Sequence, residues 1–207
     1  MTTPYENLGP ETILSALESV GLKPNGGLLA LNSYENRVYQ AQMEDDGFYI
    51  TKFYRPERWS YNAIQEEHEF SQELVEEEIS VVAPLKIGGS TIFEFAGFQF
   101  AVFERQGGHP PNLEEEENLK ILARSIARIH AIGSRKAFKH RQAFSVERLA
   151  VNSRKFVLES DLLPPELVDA YASTTQGMID FIEPTMRQLS EVRIHGDCHM
   201  GNVLWRN

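Results

Sequence analysis

His195-Gly196-Asp197-Cys198-His199-Met200-Gly201-Asn202 decides how this chain is read. It has the form His-Gly-Asp-x-His-x-x-Asn and lies between two short apolar segments, Val192 to Ile194 and Val203 to Trp205, that read as strands. Four residues separate Asp197 from Asn202, a spacing at which one turn can aim a carboxylate at an attacking hydroxyl while an amide oxygen reaches a cation held between phosphates. Structural readings stand beside this one: Asp197 as a turn cap, His195 as a core histidine bonded to backbone, Asn202 as a residue in the left-handed conformation. Gly-Asp-x-His also occurs in dinuclear metallophosphatases, but such a site needs further acidic and histidine ligands, and only eight residues follow His199. His109, His130 and His140 are scattered and read as structural, with His130 at the inner edge of its helix.

Upstream of the loop the pattern is helical. Helices are predicted over Pro165 to Ser190, disturbed by Pro184, and over Glu147 to Glu159. A third carries Leu119, Leu122, Ile126 and Ile129 at spacings of three and four, with Asn112 and Glu115 as its capping box. The glycines and prolines of Gln106-Gly107-Gly108-His109-Pro110-Pro111 suit neither a strand nor a helix interior and mark a linker. Before it, strands are predicted over Leu28 to Leu31, Arg37 to Met43, Phe48 to Tyr54, Thr91 to Phe95 and Phe98 to Glu104. Asp45-Asp46-Gly47 and Ala96-Gly97 supply hairpin turns. One helix from about Ser60 to Glu78 interrupts the strands, and a short one begins at Pro10 and closes at Gly21. The class is α+β: a small antiparallel-sheet lobe over residues 1–105, a linker over 106–111, and a mainly helical lobe over 112–207.

Two charges break this pattern. Alternation along Phe48 to Tyr54 puts Lys52 on the same face as Phe48, Ile50 and Tyr54. Either its ammonium snorkels to water along the four-carbon stem, or it needs an anionic partner. On the following helix, Glu67 falls in the middle of the apolar arc of Ala63, Ile64, Phe70, Leu74 and Val75. Glu66, Glu69, Glu73 and Glu77 form a separate stripe that reads as a solvated face. Lys52 is the obvious cation for Glu67, because an unpaired carboxylate there would cost several kcal/mol.

Composition narrows the function classes. Twenty basic side chains against thirty acidic ones give 207 residues a net charge of −10, which repels phosphate backbones and anionic lipid, so no nucleic-acid or membrane partner is expected. The single cysteine, Cys198, excludes an internal disulfide and fits a reducing compartment. No signal peptide is recognised at the start, and a cytoplasmic monomer is expected.

Taken in order, the strand-rich lobe, Lys52, Glu67, the glycine-proline linker, the helices and the final loop resemble the protein-kinase-like phosphotransferases related to aminoglycoside and choline kinases. Four segments carry a closer likeness: Ser33-Tyr-Glu-Asn-Arg-Val-Tyr-Gln40, Lys52-Phe-Tyr-Arg-Pro-Glu-Arg-Trp59, Glu66-Glu-His68 and His195 through Trp205. These are similar to the bacterial stress response kinase A family. The resemblance implies a bilobal kinase-like fold and a serine/threonine protein kinase that uses ATP and magnesium and acts on a protein hydroxyl under stress. It implies Asp197 as catalytic base, Asn202 as a magnesium ligand, and Lys52 on the α and β phosphates steadied by Glu67. Ser33 would lie over the phosphates, and the backbone of Val102, Phe103 and Glu104 would meet adenine. No Gly-x-Gly-x-x-Gly occurs between Leu31 and Val38. The family also places a second metal-binding aspartate beyond the last residue here, so the helical lobe is expected to be incomplete and the chain alone to be inactive. A small alcohol or amine as acceptor, or a non-catalytic nucleotide-binding module, are the alternatives.

Overall fold

A computed structural model describes residues 4–206. Met1 to Thr3 and Asn207, the outermost residues of the first and last expected lobes, lie outside the described residues. Helix α1 (Pro10–Ser19) starts on its proline. It ends where Gly21, at φ 86°, lets the Leu22 and Gly21 N–H groups reach back to the Leu17 and Glu18 carbonyls. Five strands follow: β1 (Pro24–Leu31), β2 (Arg37–Met43), β3 (Phe48–Phe53), β4 (Phe93–Phe95) and β5 (Phe98–Glu104). They form one antiparallel sheet in the order β1-β2-β3-β5-β4. The Ala96-Gly97 turn has both residues at positive φ, 49° and 82°, which matches the twist of the hairpin it closes. β1 begins earlier than predicted. Its Asn25-Gly26-Gly27 segment, outside the predicted strand, carries a bulge between Pro24 and Leu28.

Both faces of the sheet are covered. Ile13, Ala16 and Leu17 of α1 pack on Ala41, Met43, Phe53, Phe98, Phe100 and Val102, with the Phe53 and Phe100 rings stacked at 5.3 Å. On the opposite face, Ile64 of α2 (Tyr61–Glu76) meets Tyr54, Ile92 and Ala101. The Ser60 hydroxyl starts α2 by accepting from the Ala63 N–H at 3.2 Å. Further along, Phe70 and Leu74 pack against Ile129 and Ile132 of α3 (Glu116–Gly133).

Several expectations change here. Asn112 does not cap α3: its side chain accepts from the Glu114 N–H at 3.2 Å, closing a turn before the helix, and Glu115 takes the cap position. His130 is exposed; Ile129, Ile132 and Gly133 are the buried positions. The acidic stripe of α2 is not simply solvated. Glu66 accepts from the backbone N–H groups of Lys139, His140 and Arg141 at 2.6, 2.8 and 3.0 Å, while Glu73 and Glu77 pair with Arg193 and Arg135. Glu69 and Glu77 are exposed, as expected of a solvated face, and Glu69 is bonded to its neighbour Gln65.

Val192 to Ile194 and Val203 to Trp205 do not form strands. Instead, Arg193 is 6% exposed and is held at 2.7 Å by Glu73, by the Ile132 and Gly133 carbonyls, and over the Phe70 ring at 4.2 Å. Trp205 exchanges two backbone hydrogen bonds with His109, 3.1 and 2.8 Å, so the 106–111 segment has a partner. Gly108 fits that approach because a Cβ would lie 3.0 Å from the Trp205 carbonyl oxygen.

Backbone packing divides the chain into two units: residues up to Arg141 together with those from Val192 onward, and Gln142–Glu191. The second unit holds a π-helical turn (Glu147–Val151), α4 (Asn152–Leu158), a 3-10 turn and α5 (Val168–Met186). Arg154 ties α4 to α5 through the Thr175 hydroxyl and the Ala172 carbonyl, both at 3.0 Å. Pro184 sits in the last turn of α5, which stops two residues later.

Gly133 is the tightest position: a Cβ there would lie 2.1 Å from the Arg193 carbonyl oxygen. Gly133→Ala is expected to lower the unfolding free energy by about 3 kcal/mol in chemical denaturation. Gly177→Ala, in open space on α5, is expected to raise it by up to about 1 kcal/mol. Equal effects of the two substitutions would refute this reading of the Gly133 contact.

Candidate functional site

Lys52 lies on β3 opposite Ala101 of β5, on the sheet face that α2 covers. Its Nζ is 3.0 Å from Glu67 Oε1. The two out-of-pattern charges therefore meet, and the snorkelling alternative falls. Glu67 is doubly engaged: Arg141 Nη1 lies 2.7 Å from its other oxygen, Oε2. Burial alone pushes the Glu67 carboxyl up, but the Lys52 and Arg141 cations outweigh it and hold the group below the usual carboxylate range. The Lys52 ammonium also sits 4.7 Å from the centre of the Tyr54 ring.

Under this pair runs a buried polar chain. The Tyr54 hydroxyl and His68 Nε2 are 2.6 Å apart, and His68 Nδ1 is 2.9 Å from the Thr91 hydroxyl. Burial pushes the His68 imidazole down from 6.5 to about 4, so it is neutral at pH 7, and drives the Tyr54 phenol well above its ordinary value. Thr91 lies just before β4, so the chain ties α2 to the sheet.

The β1–β2 turn is held as firmly. Ser33 Oγ donates to the Asn36 carbonyl at 2.9 Å, which shapes the turn from within. Glu35 accepts from Trp59 Nε1 at 2.7 Å and Arg58 Nε at 3.0 Å, and Asn36 Oδ1 accepts from the Arg55 N–H at 3.3 Å. On β5, Val102 is fully buried and its carbonyl accepts from the Leu85 N–H at 2.7 Å; Phe103 is half-buried and Glu104 exposed.

Asp197 and Asn202 are exposed and meet directly. Asn202 Nδ2 donates to the Asp197 carbonyl at 2.8 Å and to its carboxylate Oδ2 at 3.0 Å. The loop between them is built by local turns: Gly196 at φ 79°, the Asp197 N–H on His195 Nδ1 at 3.3 Å, and the Gly201 N–H on His199 Nδ1 at 3.1 Å. His195 and His199 thus shape backbone. With its amide nitrogen turned inward, Asn202 offers Oδ1, and with the Asp197 carboxylate it makes a pair of hard oxygen donors of the kind magnesium takes. Among the described residues, no cluster of three or more histidine, cysteine or carboxylate side chains could hold a metal.

The predicted residues thus gather into two pairs, Lys52 with Glu67 and Asp197 with Asn202, both within the unit that ends its first segment at Arg141. Among the described residues no hydrogen bond or ion pair joins one pair to the other. Glu35 and Trp59 lie in segments that carry the family likeness but have no role assigned by it, and Arg141 lies in none of them. Their partners lie 74 and 24 residues away, and nothing in local periodicity marks such contacts.

A five-stranded antiparallel sheet with an internal lysine–glutamate pair, and a turn that joins an aspartate to an asparagine, define a protein-kinase-like phosphotransferase fold. The chain belongs to the phosphotransferase enzyme family called APH, whose model matches residues 28–207. It is 38% identical over 204 residues to stress response kinase A of Escherichia coli K12, covering 98% of this chain and 62% of that protein. It is 37% identical, with the same coverage, to the serine/threonine protein kinase RdoA of Salmonella typhimurium LT2. The resemblance read from the motifs therefore holds, and the chain spans 62% of the length of these curated relatives. Among solved structures, the amicoumacin kinase hAmiN in complex with AMP-PNP, Ca2+ and Ami superposes with a TM-score of 0.73 at 19% identity, over 95% of this chain and 60% of that one. Among the described residues no helix is long and apolar enough to cross a membrane.

His68 sets a pH signature. Folding lowers its pKa, so its contribution is complete above the unfolded value of 6.5 and is lost as pH falls toward about 4. The unfolding free energy is expected to fall through that window by up to about 3 kcal/mol more in the wild type than in His68→Gln. Superimposable pH profiles for the two proteins would show that the imidazole is not held neutral.

Proposed function

We propose that this chain carries the nucleotide-binding part and the base-bearing loop of an ATP-dependent serine/threonine protein kinase. The observation that supports it best is the 3.0 Å Lys52–Glu67 pair on β3 and α2, since a lysine fixed in this way on a sheet is suited to gripping phosphate oxygens. In this reading, Lys52 takes the α and β phosphates of ATP and Glu67 keeps it aimed. Ser33 and its turn lie over the phosphates, and the β5 backbone from Val102 to Glu104 borders the adenine. Asp197 orients and deprotonates the acceptor hydroxyl, and Asn202 would hold a magnesium ion through its Oδ1. When bound, that ion neutralises charge developing on the phosphates. The protein's part in phosphoryl transfer is positioning and charge, so few side chains suffice. Residues 1–105 are assigned to the nucleotide lobe, 106–111 to the linker and 112–207 to part of the catalytic lobe.

The name of the Salmonella relative favours a protein acceptor. The likeness to a kinase complexed with amicoumacin favours a second reading, a small alcohol or amine acceptor, and the net charge of −10 suits a cationic substrate of either kind.

The test is phosphate transfer by the full-length protein with magnesium and ATP, offered a protein acceptor and a panel of small alcohols and amines. ADP release coupled to label on serine or threonine is expected, and Asp197→Asn is expected to lower kcat by about 10²–10⁴-fold, the range a general base supplies. Label on small molecules alone would select the second reading. Transfer by Asp197→Asn at the wild-type rate would end both.

A further inference from the structure

Glu67 has two oxygens and two cations, and the second cation is unexplained by the proposed function. Arg141 follows α3 by eight residues and is fixed in several ways at once. Its Nη1 donates to Glu67 Oε2 at 2.7 Å and to the Ala63 carbonyl at 3.3 Å. Its guanidinium lies 4.5 Å from the centre of the Trp59 ring, and its own N–H is one of three that Glu66 accepts. Trp59 in turn donates to Glu35 of the β1–β2 turn at 2.7 Å. One contact path therefore runs from that turn through Glu35, Trp59, Arg141 and Glu67 to Lys52.

A carboxylate held at one oxygen can rotate about its terminal torsion; held at both, it cannot without breaking an ion pair. Arginine suits the second post because its flat guanidinium can stack on an indole while it donates in-plane, which a lysine cannot do. Glu66 supports the arrangement by anchoring the backbone that carries Arg141.

We propose that Arg141 is a positioning residue for nucleotide binding: by occupying the second oxygen of Glu67 it locks the carboxylate on Lys52, and through Trp59 it couples the phosphate lysine to the β1–β2 turn. The nucleotide half of this statement rests on the proposed function; the locking of Lys52 does not.

The experiment compares wild type, Arg141→Met and Arg141→Lys in the full-length protein, well below the melting temperature of each. Two readouts are taken. The first is the NMR shift of the Lys52 ε-methylene in lysine-labelled protein, assigned with Lys52→Arg. The Tyr54 ring beneath the ammonium gives this signal an upfield displacement, which Arg141→Met is expected to abolish and Arg141→Lys to restore in part. The second is affinity for a non-hydrolysable ATP analogue with magnesium, expected to weaken about tenfold in Arg141→Met, with partial recovery in Arg141→Lys. An unchanged Lys52 signal in Arg141→Met overturns the proposal, whatever the nucleotide does. So does an unchanged affinity in a protein whose wild type binds the analogue. If the wild type binds none while the Lys52 signal still depends on Arg141, the nucleotide reading falls and the locking role stands.

Discussion

The first unit is organised around one carboxylate that burial would otherwise neutralise. Glu67 projects from α2 toward Lys52 of the sheet, where desolvation favours the protonated acid, and it stays charged because two cations reach it from different parts of the chain. An ion pair in such a place gives little net stability, since its Coulomb gain is largely cancelled by lost hydration. What it gives is direction. Removing either cation leaves a half-buried charge short of a partner, so arrangements in which β3, α2 and the segment after α3 fail to converge are penalised.

Helix α2 is the element on which these demands meet. Its Ile64 faces the sheet, Phe70 and Leu74 face α3, and its acidic residues receive backbone and arginine donors from the 134–141 segment and from Arg193. The buried Tyr54–His68–Thr91 chain fastens the helix to the sheet a second time with neutral groups. A fully satisfied polar chain of this kind fixes a single packing, because any slip of the helix would leave a buried hydroxyl or ring nitrogen unpaired. Lys52 is therefore aimed by a helix that has little freedom to move along the sheet.

How much of this could be read from sequence depended on the range of the interaction. The hairpin turns, β2, β5, α2 and the Lys52–Glu67 pair were legible because alternation, turn residues and a helical wheel act over a few residues. β1 extends four residues further than its apolar run, because the glycines that precede Leu28 carry no alternation and the bulge there is set by pairing with β2. The acidic stripe of α2 was legible only in part for a different reason: Glu69 and Glu77 are exposed, but Glu66 and Glu73 meet donors from later in the chain and follow the same pattern. The flanks of the final loop failed as strands because apolar character alone does not supply pairing partners. Val192 to Ile194 is held by an arginine in a pocket rather than by a ladder.

That last point bears on how Asp197 is presented. The loop from His195 to Asn202 is exposed and has almost no core of its own, so local turns alone would leave it poorly fixed. It is anchored at both ends instead. Upstream, Arg193 is buried between Glu73, two α3 carbonyls and the Phe70 ring; downstream, Trp205 pairs with His109 in the linker. Glu73 lies six residues after Glu67 on the same helix. A single helix thus holds the carboxylate that aims Lys52 and the carboxylate that moors the segment leading to Asp197. Two pairs that share no direct bond among the described residues are in this way referred to one rigid element, and a helix of 16 residues keeps the spacing between its own carboxylates more constant than any loop could.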